Sequence, residues 1–462
     1  MTRASEFFKS IKDKKVAFIG IGVSNTDSIL MFLKNGIDVT ACDKAPREKL
    51  GEVADKLESA GAQLRLGENY LDGLCDFDVV VRTPGMMYHV PELQKARKMG
   101  VAVTSEMELF FELCPCKIFA VTGSDGKTTT TTVISKFLEA QGKTVHLGGN
   151  IGRALLPIID TITPDDFAVV ELSSFQLMSM RQSPDVAVVT NVTPNHLDKH
   201  TDMDDYVDAK KNILLHQNAF SKAVLNLDNE TSNSMKSLVR GKAYSFSRRE
   251  VLENGAYINA EGEIFMAVNS VSVKVMDRAD IKLVGDHNVE NYLAAITAVW
   301  GYVDVENIVS VARTFSGVEH RMELVRERNG VKWYNDSIAT SPTRTNAGLK
   351  AHTQKVVLIA GGYDKKIPYE PLAPYVIDKV KALILMGATA QKIRKAVEEC
   401  DGFNPDLLPI YEASDMEHAV KIADEISQKG DIVAFSPASA SFDFYKNFEQ
   451  RGIHFKNIVN SL

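Results

Sequence analysis

Lys117-Ile118-Phe119-Ala120-Val121-Thr122-Gly123-Ser124-Asp125-Gly126-Lys127-Thr128-Thr129 is the stretch from which the rest of the chain can be read. Its first half is a short apolar run bounded by turn residues, the signature of a buried strand. Its second half is a Gly/Ser/Asp loop that runs into a Thr-rich helix. A loop between a strand and a helix N-terminus can wrap a phosphate in backbone N–H groups, and the helix end adds positive potential. Gly123, Ser124, Asp125, Gly126, Lys127, Thr128 and Thr129 therefore form a candidate phosphate cradle. In it Lys127 would neutralise β/γ-phosphate charge and the Thr128 hydroxyl would ligate Mg²⁺. The generic nucleotide pattern asks for a glycine six residues before the lysine, and Val121 stands there, so the loop is a variant.

Two further blocks flank this one. Before it, Val16-Ala17-Phe18-Ile19 ends in Gly20-Ile21-Gly22. Asp38-Val39-Thr40-Ala41-Cys42 ends at Asp43, Asp78-Val79-Val80-Val81 leads into Thr83-Pro84-Gly85, and Val101-Ala102-Val103-Thr104 follows. Within the central block, Ala168-Val169-Val170, Val186-Ala187-Val188-Val189 and Ala223-Val224-Leu225-Asn226 read as core strands. After it, Met322 to Asn335 alternates around Asn329-Gly330, a hairpin signal. Val356–Ala360, Ala382–Met386 and Ile432–Phe435 are further β-type runs between helical stretches. Strands alternating with helices imply parallel sheets covered on both faces. The expectation is an α/β chain of three domains: a Rossmann-like N-terminal domain (1–107), a central mononucleotide-binding domain with the phosphate loop (108–317) and a C-terminal Rossmann-like domain (318–462). Ligands of such sheets sit beyond the carboxyl ends of the strands, so the polar residues after each apolar run are the candidate chemistry.

Composition limits the partners. The chain has 462 residues, 45% hydrophobic and 24% charged, with net charge −7. That balance argues against a nucleic-acid binder, which carries a basic face. Five cysteines in a chain of this length do not suggest a disulfide framework. No stretch reaches the ~20 apolar residues of a bilayer span, and Met1 to Lys15 has no apolar leader core. A cytoplasmic protein without membrane or nucleic-acid partners is expected, and a monomer.

Several polar residues follow the strands. Glu171, after Ala168-Val169-Val170, offers a hard oxygen ligand suited to Mg²⁺. His196, after another strand, is a less usual magnesium ligand and more natural for Mn²⁺. Tyr206, Val207, Lys210, Ile213 and Leu214 form the apolar stripe of a helix, with Lys210 inside it and Lys211 off it. Lys210 is either a snorkelling lysine or a desolvated amine with a lowered pKa, able to capture CO₂ as an anionic carbamate. Asn288 and Asn291 share a helix face, in a capping or a ligand-binding role. Gly20-x-Gly22 with Asp43 about 20 residues on partly matches a dinucleotide fingerprint, but Asn25 stands where the third glycine belongs.

The variant loop TGSDGKTTT resembles the compact phosphate loop of the Mur ligases and folylpolyglutamate synthetases. Ordered motifs in all three blocks are similar to those of the Mur ligase family. The resemblance implies ATP as co-substrate and two Mg²⁺ ions, with Mn²⁺ an alternative. It implies metal ligands at Thr128, Glu171, His196 and Lys210 as a carbamate, and a catalytic set of Lys127, His196, Lys210 and Arg321. Asn150 in Gly148-Gly149-Asn150-Ile151-Gly152 would lie near the reacting carboxylate. Asn288 and Asn291 would contact adenine, Arg321 the ATP phosphates and Asp336 the ribose. Gly22, Ser24, Asn25, Asp43, Thr83, Pro84 and Gly85 would hold the UDP part of UDP-N-acetylmuramoyl-L-alanine. The stretch from Ser436 to Gly452 resembles the branch of the family that adds D-glutamate, with Lys365 and Ser441 on the amino acid's side-chain carboxylate and Thr340 and Phe448 lining its pocket. Many relatives carry Lys where Ile338 stands here. The chemistry implied is phosphorylation of a carboxylate followed by attack of an amine, with hinges near 105–110 and 315–320. Another amino-acid ligase of the superfamily, a small-molecule kinase and a nucleotide-sensing module are the competing readings.

Overall fold

The computed structural model describes residues 2–462 except Leu197, Asp198, Val284 and Lys366, and except the side chains of Val23 and Ser24. The chain divides into two compact units, Met1–Phe315 and Ser316–Leu462.

Among the described residues the first unit holds two sheets. One has five parallel strands in the order Gln63–Leu66, Asp38–Asp43, Lys15–Ile19, Val79–Arg82, Ala102–Ser105. Strand order reverses at Lys15–Ile19, so the loops after Ile19 and Arg82 flank a switch point where α/β sheets open a crevice. The other has nine strands, in the order Val271–Asp277, Glu263–Val268, Gly255–Ile258, Lys242–Ser247, Lys222–Asn226, Val186–Val189, Lys117–Thr122, Phe167–Glu171, Val145–Gly149. Lys117–Thr122 thus lies between the strands ending at Glu171 and Val189, all parallel. This brings the phosphate loop, Glu171 and the loop after Val189 to one end of the sheet. The four strands between Lys242 and Asp277 went unread in the sequence, because they are short and mix polar with apolar residues. The last two pairings are antiparallel, with a register irregularity at Ile264/Phe265.

One apolar core runs through both sheets of this unit. Phe18 and Phe32 meet edge to face at 5.0 Å. The same cluster continues through Phe110 and Leu113 on the helix Glu106–Leu113 to Ile118, Val170 and Leu172. Ser105 caps that helix by accepting the Glu108 N–H. The cluster is continuous across both sheets, and the first two blocks form a single compact unit. A second cluster on the opposite face of the central sheet packs Val133, Phe137 and Leu138 of the helix Lys127–Ala140 against Tyr292 and Ile296 of Asp286–Val299.

Among the described residues the second unit has six strands in the order Glu323–Arg328, Val331–Asn335, Ile432–Phe435, Val356–Gly361, Val380–Met386, Ile410–Glu412. The first pair is the antiparallel hairpin expected around Asn329-Gly330, with Arg328 opposite Val331. The others run parallel.

Gly361 ends a core strand at φ +110, and a Cβ there would run into the Met386 carbonyl oxygen. Gly361→Ala combines a positive-φ penalty with a backbone clash and should cost about 2 kcal/mol or more. Differential scanning calorimetry should show a melting transition several degrees lower, and an unchanged transition would contradict this packing.

Candidate active site

Thr122 ends its strand and Gly123, at φ +153, starts the loop. A side chain at Gly123 would collide with Thr190 and the Asn191 backbone, which explains the residue. The loop is tied to the neighbouring strand end. Ser124 N–H donates to the Asn191 carbonyl at 2.8 Å, Asp125 N–H to Asn191 Oδ1 at 2.9 Å, and the Thr190 hydroxyl to the Asp125 carbonyl at 2.6 Å. Gly126, at φ +79, is the last residue before the helix Lys127–Ala140, and a Cβ there would strike Asn291 Oδ1. Asn291 accepts from the Thr130 hydroxyl at 3.2 Å and donates to Asn288 Oδ1 at 3.2 Å. The Asn288–Asn291 pair therefore flanks the phosphate loop. Lys127 Nζ donates to the Ser124 carbonyl at 2.8 Å, folded over the loop it would serve.

At the foot of the loop sits Glu171, 1% exposed. Its Oε2 accepts the Thr128 hydroxyl at 2.7 Å and its Oε1 the Asn150 amide at 2.8 Å. Asn150 is fixed by its own N–H donating to the Glu171 carbonyl. Gly149 lets that approach happen at φ +98, where a Cβ would clash with the same carbonyl. Oxygen donors side by side at a phosphate loop suit Mg²⁺, which takes one or two protein oxygens and completes its shell with phosphate and water. Among the described residues no group of three His, Cys, Asp or Glu side chains gathers for a metal.

Lys210 lies on the helix Met203–Leu215 and is 1% exposed. Its Nζ donates to the Gly123 carbonyl at 2.9 Å and to Thr122 Oγ1 at 3.4 Å, and it lies 4.5 Å from the Tyr206 ring centroid. Burial, aided by the nearby charge of Lys127 and opposed by Glu171 and Asp125, lowers its pKa to about 7. Lys211 pairs with Asp208 at the surface. Tyr206, taken from the sequence as part of an apolar stripe, also shares a hydrogen bond with Ser124 at 3.0 Å. His196 adopts φ +56 and meets the Phe175 ring edge to face at 5.3 Å. His200, which the sequence did not single out, is buried and bonds Asp205 and Ser174 at 2.9 Å each while stacking on Phe175. A histidine and an aspartate five residues apart across a helix start was the available signal.

The crevice of the first sheet is built tightly. Asp43 accepts the Ile21 N–H at 2.6 Å and the Ala45 N–H at 2.7 Å. Asn25 donates inward to the Ile19 and Gly20 carbonyls. These bonds hold the Gly20–Gly22 turn, with Asn25 standing where a third glycine would be. Gly20 packs on Thr83, while Gly22 and Gly85 border open space. The side chain of Ser24 lies outside the described residues. Arg82 is fully buried behind this crevice. It went unnoticed in the sequence, although a charge ending an apolar strand run was visible.

In the second unit Asp336 is enclosed. It accepts the Ser436 hydroxyl at 2.8 Å and the Met322 N–H at 3.2 Å. Burial raises its pKa to about 6 against the opposing pull of Ser436, Met322, Arg321 and Arg344. Its bonds brace two strand ends. Lys365 is exposed and donates to the Thr340 carbonyl at 3.4 Å. Ser441 is buried. Phe448 begins the helix Phe448–Ser461 and accepts the Ser337 hydroxyl through its carbonyl. Arg451 is 2% exposed and donates to Ser337 and to the Ser439 and Ala440 carbonyls, setting the loop that carries Ser441. Arg321 is exposed.

Comparison with known proteins adds to this geometry. Residues 14–105 match the Mur ligase MurD-like N-terminal domain, 121–299 the Mur ligase middle domain and 320–439 the Mur ligase glutamate ligase domain. The chain belongs to the Mur ligase family. Its Mur ligase relatives include the UDP-N-acetylmuramoylalanine–D-glutamate ligase of Acetivibrio thermocellus, 52% identical and covering 100% of this chain and 99% of that one. The enzyme of the same name from Clostridium botulinum is 50% identical, covering 99% of each. Among solved structures, the UDP-N-acetylmuramate-alanine ligase MurC of Thermotoga maritima matches with TM-score 0.55 at 19% identity, covering 97% of this chain and 99% of that one. That likeness supports the three-domain α/β Mur ligase fold.

Gly126→Ala must displace Asn291 or the loop. Calorimetric titration should show affinity for a nucleoside triphosphate falling at least tenfold, about 1.4 kcal/mol. Gly142→Ala, at a helix end with open space around it, should leave that affinity unchanged. Equal affinities for the two variants would refute the loop's role.

Proposed function

We infer that this chain joins D-glutamate to UDP-N-acetylmuramoyl-L-alanine with ATP, giving the lengthened nucleotide, ADP and phosphate for peptidoglycan synthesis. The supporting relatives carry the D-glutamate ligase name at half identity over full length. The observation that carries the chemistry is the meeting of a phosphate loop, the buried carboxylate Glu171 and the buried amine Lys210 at one sheet end.

In this reading the loop N–H groups and Lys127 hold the triphosphate, and Asn288 and Asn291 lie against the adenine. Thr128, Glu171, His196 and Lys210 in its carbamate form would hold Mg²⁺, as two ions, with Mn²⁺ an acceptable substitute. The metal, when bound, neutralises charge on the phosphate oxygens. Transfer of the γ-phosphoryl to the L-alanyl carboxylate makes an acyl phosphate. Lys127 and the loop amides stabilise the charge that develops. The D-glutamate amine attacks the acyl carbon, the tetrahedral species loses phosphate, and an amide remains. Asn150 lies close to the acyl carbon, and His196 orients the incoming amine. Gly22, Ser24, Thr83, Pro84 and Gly85 line the UDP site, and Asp43 and Asn25 shape its turn. Lys365 and Ser441 receive the glutamate side-chain carboxylate between Thr340 and Phe448, because a cation and a hydroxyl donor suit a dicarboxylate. Arg321 would take the ATP phosphates and Asp336 the ribose hydroxyls. The work divides among segments 1–107, 108–317 and 318–462 in that order. No described helix is long and apolar enough to cross a membrane.

Lys210 is placed to become a carbamate, since its amine is buried beside the loop and is neutral above about pH 7. Because the charged amine cannot add CO₂, the carbamate should be lost as pH falls through 7. Crystals at pH 8 should show density beyond Nζ that fades at pH 6. Density ending at Nζ at both values would remove this modification.

The deciding assay supplies UDP-N-acetylmuramoyl-L-alanine, ATP and Mg²⁺ with D- or L-glutamate. Amide and phosphate should form with the D-isomer, and Lys127→Ala should slow turnover by at least a hundredfold. ATP left intact with the D-isomer would overturn the reading, and phosphorylated product without amide would favour a kinase.

A further inference from the structure

Arg82 ends the strand Val79–Arg82, opposite Ile19. It is among the largest fully buried side chains of the protein. Its Nη1 donates to the Met86 carbonyl at 3.0 Å, with a longer contact to the Thr83 carbonyl at 3.5 Å. Its Nη2 donates to the Phe175 carbonyl at 3.0 Å and to the Ser179 hydroxyl at 2.7 Å. One planar fork therefore grips the loop after its own strand and the segment after Glu171, which belong to different sheets. The compensating charge is Glu108, also buried, whose Oε2 accepts from Ser179 at 3.0 Å and from Ser105 at 2.8 Å. Phe175 in turn packs edge to face on His196 and stacks on His200, both at 5.3 Å.

Two buried opposite charges bridged by a hydroxyl are a poor device for stability, because apolar residues of the same shape serve as well or better. What the guanidinium provides is geometry: rigid donors in one plane, which lysine cannot reproduce. We propose that Arg82 is a positioning residue that locks the Thr83–Met86 loop to the Glu171–Ser179 segment, setting the acceptor carboxylate against the phosphoryl donor. This rests on the ligase reading, in which the first loop holds the muramoyl nucleotide and the second carries the metal-side groups. Reacting atoms must meet near 3–3.5 Å, and a shift of about 1 Å costs on the order of a hundredfold in rate.

The test uses the full-length protein. Arg82→Met combined with Glu108→Gln removes both buried charges while keeping volume. Its kcat should fall at least tenfold with the ATP KM unchanged, and Arg82→Lys should not restore it. Hydrogen exchange, read without ligands, should show residues 83–88 and 174–180 losing protection together. If the double variant does not fold, Ser179→Ala, which deletes one acceptor of the fork, should lower kcat several-fold and loosen the same two segments. Wild-type kcat in the folded variant, or loss of protection in only one segment, would overturn the proposal. A wild-type enzyme that forms no amide would instead defeat the ligase reading, and the exchange result would still decide whether Arg82 couples the two segments.

Discussion

A carboxylate kept out of water at the foot of a phosphate loop is the constraint around which the first unit is organised. An ionised acid in that position needs partners, and Glu171 has them in Thr128 and Asn150. Each partner is delivered by a different strand end: Thr128 through the loop after Lys117–Thr122, and Asn150 through the turn after Val145–Gly149. The parallel register of three neighbouring strands thus becomes the geometry of a charged site. Lys210 adds a second buried ionisable group, hydrogen-bonded to the carbonyl that opens the loop. A buried carboxylate and a buried amine are thus built into the same end of one sheet by the fold itself.

Much of this was legible in the amino acids. The strand–loop–helix around Lys127 announced itself by an apolar run, small residues and threonines. The placing of Lys210 on an apolar helical stripe, and of Lys211 off it, followed from the period of 3.6 residues alone. Asn329-Gly330 marked its hairpin because few other pairs accept two positive φ values. These signals are local, and local rules read them.

What was not legible depends on distant partners. Arg82 and Glu108 are 26 positions apart and are joined through Ser179, a residue with no distinguishing neighbours in the chain. Asp43 and Asn25 were marked as polar residues at strand ends, but whether they face a ligand or their own turn depends on backbone N–H and carbonyl groups that composition does not reveal. Asp336 is similar: its placement after a strand was clear, while its enclosure by Ser436, a hundred residues later, was not. The strands from Lys242 to Asp277 lacked the uninterrupted apolar runs that buried parallel strands display.

Those same strands give the central sheet its outer margin. Among the described residues Val271–Asp277 has a neighbouring strand on one side only, and Val271 and Val273 are exposed along it. Such a margin invites another chain to add itself as a further strand. Here the ladder is interrupted near Ile264, and Lys274 projects from the margin into a pair of acidic partners. A charged side chain and a broken ladder make a poor template for stacking, so these features guard the protein's solubility when it is crowded, at a distance from any chemistry it performs.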